Sequence, residues 1–152
     1  MSDVEARKQE LMTRLKAMPN KDDRLRYIVD QGKALPELPA ALKLDQFLIK
    51  GCISQAWLLP QIQGDRLHFL ADSEAMIVKG IIALLTRVYN GGTAEEILAV
   101  PPSFLGEAGV TEHLSMNRRN GLTNILGMIR LYAERMQNSG LPERTPQKDL
   151  VQ

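Results

Sequence analysis

One thiol stands alone in this chain, Cys52, within Gly51-Cys52-Ile53-Ser54-Gln55-Ala56-Trp57. A single sulfur cannot close an intramolecular disulfide. Nor can it supply the several thiolates that an iron–sulfur cluster or a zinc centre takes. It can act as one nucleophile, or it can carry one sulfur atom. Gly51 lets the backbone bend, and Ser54 and Gln55 follow, so the segment reads as an exposed turn. The plainer reading of a lone cysteine is a buried thiol packed as a small hydrophobe.

Two further places carry side chains with chemical potential. Asp72-Ser73-Glu74 has the residue types of an acid–base or metal cluster, and also those of an ordinary helix N-cap with acidic first-turn residues. Lys79 follows inside an apolar run, where a functional amine is one reading and a lysine laying its methylenes along the core is the plainer one. Arg118-Arg119 falls at an expected helix start, where the helix dipole disfavours cations by roughly 0.3–1 kcal/mol. A broken local rule hints at function. Pairing with Glu107 or Glu112, or simple solvation, is the plainer explanation. His68 and His113 are the only histidines, which argues against a His-based metal site, and both read as structural or solvated. Trp57 reads as a core or interface anchor.

These side chains must be positioned by one domain. The 152 residues include 44% apolar residues, enough for a core. With 19 basic and 18 acidic residues the formal charge is +1, so no global attraction to nucleic acid is expected. Met1 to Lys8 is charged and lacks the apolar stretch of a secretory signal. Met76 to Val88 contains Lys79 and Arg87 and is too short to span a bilayer. A lone cysteine without an export signal points to the reducing cytoplasm.

The pattern predicts a first helix over 3–18 with Val4, Leu11, Met12 and Leu15 near one face, stopped at Pro19-Asn20. A second starts near Asp22 and is ended by Gly32 and then Pro36 and Pro39, and residues 35–45 read as a loop. Ala56 to Leu59 and Arg66 to Ala71, separated by a turn at Gly64-Asp65, predict a β-hairpin, with Phe47 to Lys50 as a candidate third strand. Cys52 then falls in the connection between two strands. A central helix over 74–90, capped by Asp72 or Ser73, is apolar almost all round. Thr93-Ala94-Glu95-Glu96 is a capping box. A last helix over 117–138 carries Leu122, Ile125, Leu126, Ile129, Tyr132 and Met136 on one stripe. Residues 1–140 read as a single domain, and the polar tail 141–152 as disordered.

Taken in order, these segments resemble the SufE family of sulfur-acceptor proteins, with its related CsdE group. The resemblance runs from about Leu15 to Met136. It includes Leu35-Pro36-Glu37-Leu38, and Gly51-Cys52-Ile53-Ser54-Gln55-Ala56-Trp57, which is similar to Gly-Cys-x-Ser-x-x-Trp. Asp72-Ser73-Glu74-Ala75-Met76-Ile77-Val78-Lys79-Gly80 is similar to Asp-Ser-x-Ala-x-Ile-x-Lys/Arg-Gly. His113-Leu114, Arg118 and Gly121-Leu122 match His-Leu-x-x-x-Arg-x-x-Gly-Leu. The chain departs from the family at Phe47, where asparagine is frequent, at Ala56, where valine is, and at Asn117, where serine is; either Asn117 or a serine can cap a helix.

The resemblance implies an α+β fold like that of SufE and the IscU-like iron–sulfur scaffold proteins: an antiparallel sheet of about three strands with helices packed on it. It implies that Cys52 takes persulfide sulfur from a pyridoxal-phosphate cysteine desulfurase, SufS-like or CsdA-like, and stimulates that enzyme. The sulfur then passes to an iron–sulfur scaffold complex, or by a CsdE-like relay to another acceptor. In this reading Cys52 is the persulfide carrier and Arg118 supports the thiolate or the loop. Gly51, Ser54 and Trp57 shape the loop, and Asp72, Ser73 and Lys79 are mainly structural, with contact to the partner open to them. No cofactor or metal of its own is expected, no nucleic acid and no membrane, and a homodimer is compatible. The loop is expected to shelter the thiol when idle and to swing it out on docking. The rivals are a one-cysteine thiol peroxidase or hydrolase, for which no Cys–His motif is visible, and an adaptor whose cysteine is incidental.

Overall fold

The structure, a computed structural model, describes residues 2–51 and 54–138. The expected tail at 141–152 lies outside them. Helix α1 (Asp3–Ala17) starts at Ser2, whose hydroxyl accepts from Glu5 N at 3.1 Å. Helix α2 (Lys21–Ala34) starts at Asn20, whose side chain accepts from Asp23 N. The chain then crosses two 3-10 turns, Ala40–Leu42 and Asp45–Phe47. Strands β1 (Ala56–Gln63) and β2 (Arg66–Ser73) form the hairpin, running from Gln63↔Arg66 to Ala56↔Ser73. Gly64 takes φ +63°, the sign a type II′ turn requires of its first residue. Pro60 has no amide to donate, and it sits on β1, an edge of the sheet.

Helix α3 (Met76–Tyr89) runs through the middle, packed against α1, α2 and β2, and it buries residues on every side. Its contact with α2 depends on two glycines. A Cβ on Gly80 would collide with the Ile28 carbonyl oxygen, and one on Gly32 would fall 2.7 Å from Gly80 N. Gly32 is therefore not the stop expected from the sequence. It lies inside α2, buried where two helix backbones nearly touch.

The third strand is β3 (Gly92–Thr93), paired to β2 through Arg66↔Thr93 and Leu67↔Gly92. The expected strand over Phe47 to Lys50 does not form; Leu48 makes one bridge to Trp57, and Phe47 ends a 3-10 turn. The architecture is α+β all the same, with helices on a three-stranded antiparallel sheet in the order β1-β2-β3. Helix α4 (Ala94–Leu98) opens on the Thr93–Glu96 capping box. The short α5 (Phe104–Glu107) and a 3-10 turn at Thr111–His113 lead to the long α6 (Met116–Asn138).

Both faces of the hairpin are covered, which explains why β1 opens on a continuous apolar run. Leu58, Leu67 and Phe69 face the main core with α1, α3 and α6. Trp57 and Leu59 point the other way, into a second cluster with Leu38, Leu42 and Phe47 from the stretch before β1. That stretch is a cover rather than a free loop.

Candidate functional site

The cysteine segment is fastened at both ends. Ile49 N donates to the Ala56 carbonyl at 2.8 Å, which holds the two sides of the segment together at the foot of β1. On the entry side, Asn124 of α6 donates its Nδ2 to the Lys50 carbonyl at 2.7 Å. Gly51 has φ +83°, and a Cβ there would run into the Asn124 amide. Two demands thus require glycine at this position: the left-handed backbone and the close approach of a side chain. On the exit side, the Gln55 carbonyl accepts from Ser73 Oγ at 3.1 Å and from Glu74 N at 3.0 Å. Ser54, half-buried, leads into that exit. Cys52 and Ile53 lie outside the described residues.

Behind the loop sits a buried carboxylate. Asp72 is the β2 residue opposite Trp57 and is only 3% exposed. Its Oδ2 accepts from Leu38 N at 2.9 Å and its Oδ1 from Ser73 N at 2.8 Å. Lys79 Nζ stands 3.2 Å from Oδ1, and Lys43 Nζ 3.7 Å from Oδ2. Burial pushes the pKa of this carboxyl up, but the amides of Leu38 and Ser73 and the Lys79 ammonium outweigh it and hold it below the usual value. Lys43 also stands 5.2 Å from the centroid of the Trp57 ring. The expected roles shift accordingly. Asp72 is not the cap of α3. It ties the cover, the sheet and α3 together, while Ser73 Oγ accepts from Ala75 N just ahead of the helix. Lys79 does not merely lay its methylenes on the core, since its charge is paired with Asp72.

The two arginines separate. Arg119 Nε donates to the carbonyls of Thr111 at 3.0 Å and Leu114 at 3.2 Å, so it holds the turn that precedes its own helix. Arg118 is exposed, and among the described residues neither arginine pairs with Glu107 or Glu112. Asn124 comes six positions after Arg118, which is about 9 Å along the helix axis and roughly 120° around it. The cap of α6 is Ser115, whose hydroxyl accepts from Arg118 N, and not Asn117. His113 lies 3.4 Å from an Arg24 nitrogen, and burial followed by the Arg24 charge lowers its pKa. Among the described residues no group of three or more potential ligands could hold a metal ion, and no helix is long and apolar enough to cross a membrane.

The structure therefore adds two residues that the sequence reading missed, Asn124 and Lys43. An asparagine on a polar helix face carries no sequence signal of its carbonyl partner. What the assembled arrangement offers chemically is a pair of fixed flanks, Lys50-Gly51 and Ser54-Gln55, on either side of Cys52 in the chain.

Residues 9–133 match the family model for SufE, the Fe-S metabolism associated domain. An uncharacterized SufE-like protein of Rhizobium meliloti is 36% identical over 118 residues, covering 74% of this chain and 84% of that protein. The sulfur acceptor protein CsdE of Escherichia coli is 37% identical over 103 residues, covering 66% and 70%. The cysteine desulfuration protein SufE of Plasmodium falciparum is 30% identical over 122 residues, covering 76% and 49%. In fold, the chain is similar to the solution structure of a hypothetical protein from Thermus thermophilus, with a TM-score of 0.73 at 20% identity, covering 86% of this chain and 96% of that one.

Proposed function

The chain belongs to the SufE family, and from that premise we propose that it is a sulfur acceptor that works with a cysteine desulfurase, with Cys52 as the acceptor atom. The observation that carries this reading is the double fastening of the loop. Asn124 holds Lys50 on one side, and Ser73 and Glu74 hold Gln55 on the other. A thiol that must meet a partner's sulfur in line with an S–S bond gains from flanks that do not wander.

The step is exchange at sulfur. The Cys52 thiol loses its proton, and the thiolate attacks the outer sulfur of the desulfurase persulfide. The new S–S bond forms as the old one breaks, and the desulfurase cysteine leaves as a thiolate that takes up a proton. Sulfane sulfur moves and no external oxidant or reductant is consumed. A free cysteine titrates near ~8.5, so stabilising the thiolate speeds the attack at neutral pH. Arg118 is the exposed cation assigned to that support, or to orienting the loop against the partner. Asp72 and Lys79 act from behind by holding the cover and α3 in register, and Trp57 anchors β1. Ser73 fixes the exit of the loop. The sulfur goes on to iron–sulfur cluster assembly in the cytoplasm.

The test is the turnover of cysteine by the desulfurase with and without this chain. Stimulation by the wild type, absent with Cys52→Ser, supports the reading. Equal stimulation by Cys52→Ser points to an adaptor with an incidental cysteine, and consumption of peroxide without a desulfurase points to a peroxidase.

A further inference from the structure

Beside the loop lies a groove that sulfur chemistry itself does not use. It runs between α6 and the segment before Cys52 and has a volume of about 640 Å³. Leu48, Met128, Leu131 and Tyr132 give it apolar walls. Leu131 is 43% exposed, one of few large apolar side chains left open to water.

Gly127 also lines the groove and is the informative residue. It sits inside α6, where glycine costs roughly 1 kcal/mol relative to alanine. Gly32 and Gly80 have neighbours that forbid a side chain. Gly127 has none, since a Cβ built there meets nothing within 4 Å. No turn and no close approach within the described residues requires glycine there. The missing side chain keeps the groove open, and a local rule broken without internal gain points outside the chain.

Charge narrows the choice of occupant. The charged side chains among the described lining residues are Lys50 and Arg135, both cationic, and no carboxylate is among them. Lys50 lines the groove and is two residues before Cys52, so this end of the groove lies within roughly 7 Å of chain from the sulfur-accepting residue. We infer that the groove docks an apolar segment, flanked by carboxylates, of the sulfur-donating desulfurase. The inference rests on the sulfur-acceptor reading of Cys52 and adds the surface on which the donor is held.

The substitution Gly127→Leu tests it, because it fills the groove while improving helix propensity. Binding to the desulfurase is measured by calorimetry in a Cys52→Ser background, so that no sulfur moves. The melting temperature of Gly127→Leu is expected to be no lower than that of its parent, and its dissociation constant about tenfold higher. Arg135→Glu is expected to weaken binding too and to flatten its salt dependence; it also keeps the test alive if Gly127→Leu disturbs the fold. Parental affinity in both variants overturns the inference. If those variants bind normally while the wild type still acquires sulfur, the groove falls and the sulfur reading stands. If the wild type acquires no sulfur, both fall. If Gly127→Leu instead abolishes a homodimer seen by sedimentation, the groove belongs to a second copy of this chain and the inference is overturned.

Discussion

Substituting Asp72→Asn is expected to destabilise the protein by about 3 kcal/mol near neutral pH. The carboxylate accepts from two backbone amides, those of Leu38 and Ser73. An asparagine has one acceptor oxygen, so its own amide must face one of these N–H groups. Leaving a buried donor unsatisfied costs roughly 1–3 kcal/mol. The ion pairs with Lys79 and Lys43 are lost as well. Those lysine side chains are 22% and 28% exposed, so they can turn to water, and the pairs add only about 1 kcal/mol. At roughly 2.1 cal/mol/K per residue of unfolding entropy, ~3 kcal/mol lowers the melting temperature by about 10 °C. The pH dependence carries the sign. The folded pKa of Asp72 lies below its unfolded value, so its contribution is complete above the unfolded pKa of about 4 and is lost as pH falls through the folded pKa. Urea denaturation of both proteins between pH 7 and pH 3 measures this. The gap is expected to be full at pH 7 and to shrink below about pH 4. A gap that stays constant down to pH 3, or no gap at pH 7, refutes the assignment of Asp72 as a charged tie.

Gly80→Ala is expected to cost about 2–3 kcal/mol in urea denaturation, because the new methyl meets the α2 backbone at Ile28, which cannot turn aside as a side chain could, as well as the Ile28 Cγ2. Asn124→Ala removes one hydrogen bond to Lys50 and is expected to cost about 1 kcal/mol, yet to slow sulfur uptake by Cys52 severalfold in single-turnover measurements; unchanged uptake removes Asn124 from the site. Arg118→Ala is expected to leave the melting temperature within about 1 °C and to lower sulfur acceptance, since the side chain is exposed; full acceptance ends its proposed role.

Local signals were legible in the chain, and long-range ones were not. The hairpin could be read because Gly64-Asp65 separates two apolar runs, and α4 because Thr93 and Glu96 have the spacing of a reciprocal cap. The resemblance to SufE singles out Cys52, Asp72 and Lys79 by the motifs they stand in, not by any contact among them. Phe47 to Lys50 looked like a strand because an apolar run of four has no period that separates strand from cover. Phe47 and Leu42 are apolar because they close the second face of the hairpin. β3 was hidden because Gly92 also belongs to the glycines that end α3, and a two-residue strand leaves no pattern. Asp72, like Ser73, has the sequence position of a cap, and nothing local shows that its partner amide, on Leu38, lies 34 residues away. Asn124 looks the same in sequence whether it bonds to water or to a backbone carbonyl 74 residues distant.

The most direct measurement is the intact mass of the protein after incubation with a cysteine desulfurase, pyridoxal phosphate and cysteine. A gain of one sulfur atom that reductant removes, and that Cys52→Ser does not show, is the expected result. No gain with any desulfurase of the same cell contradicts sulfur acceptance by Cys52 and leaves the loop without its proposed chemistry.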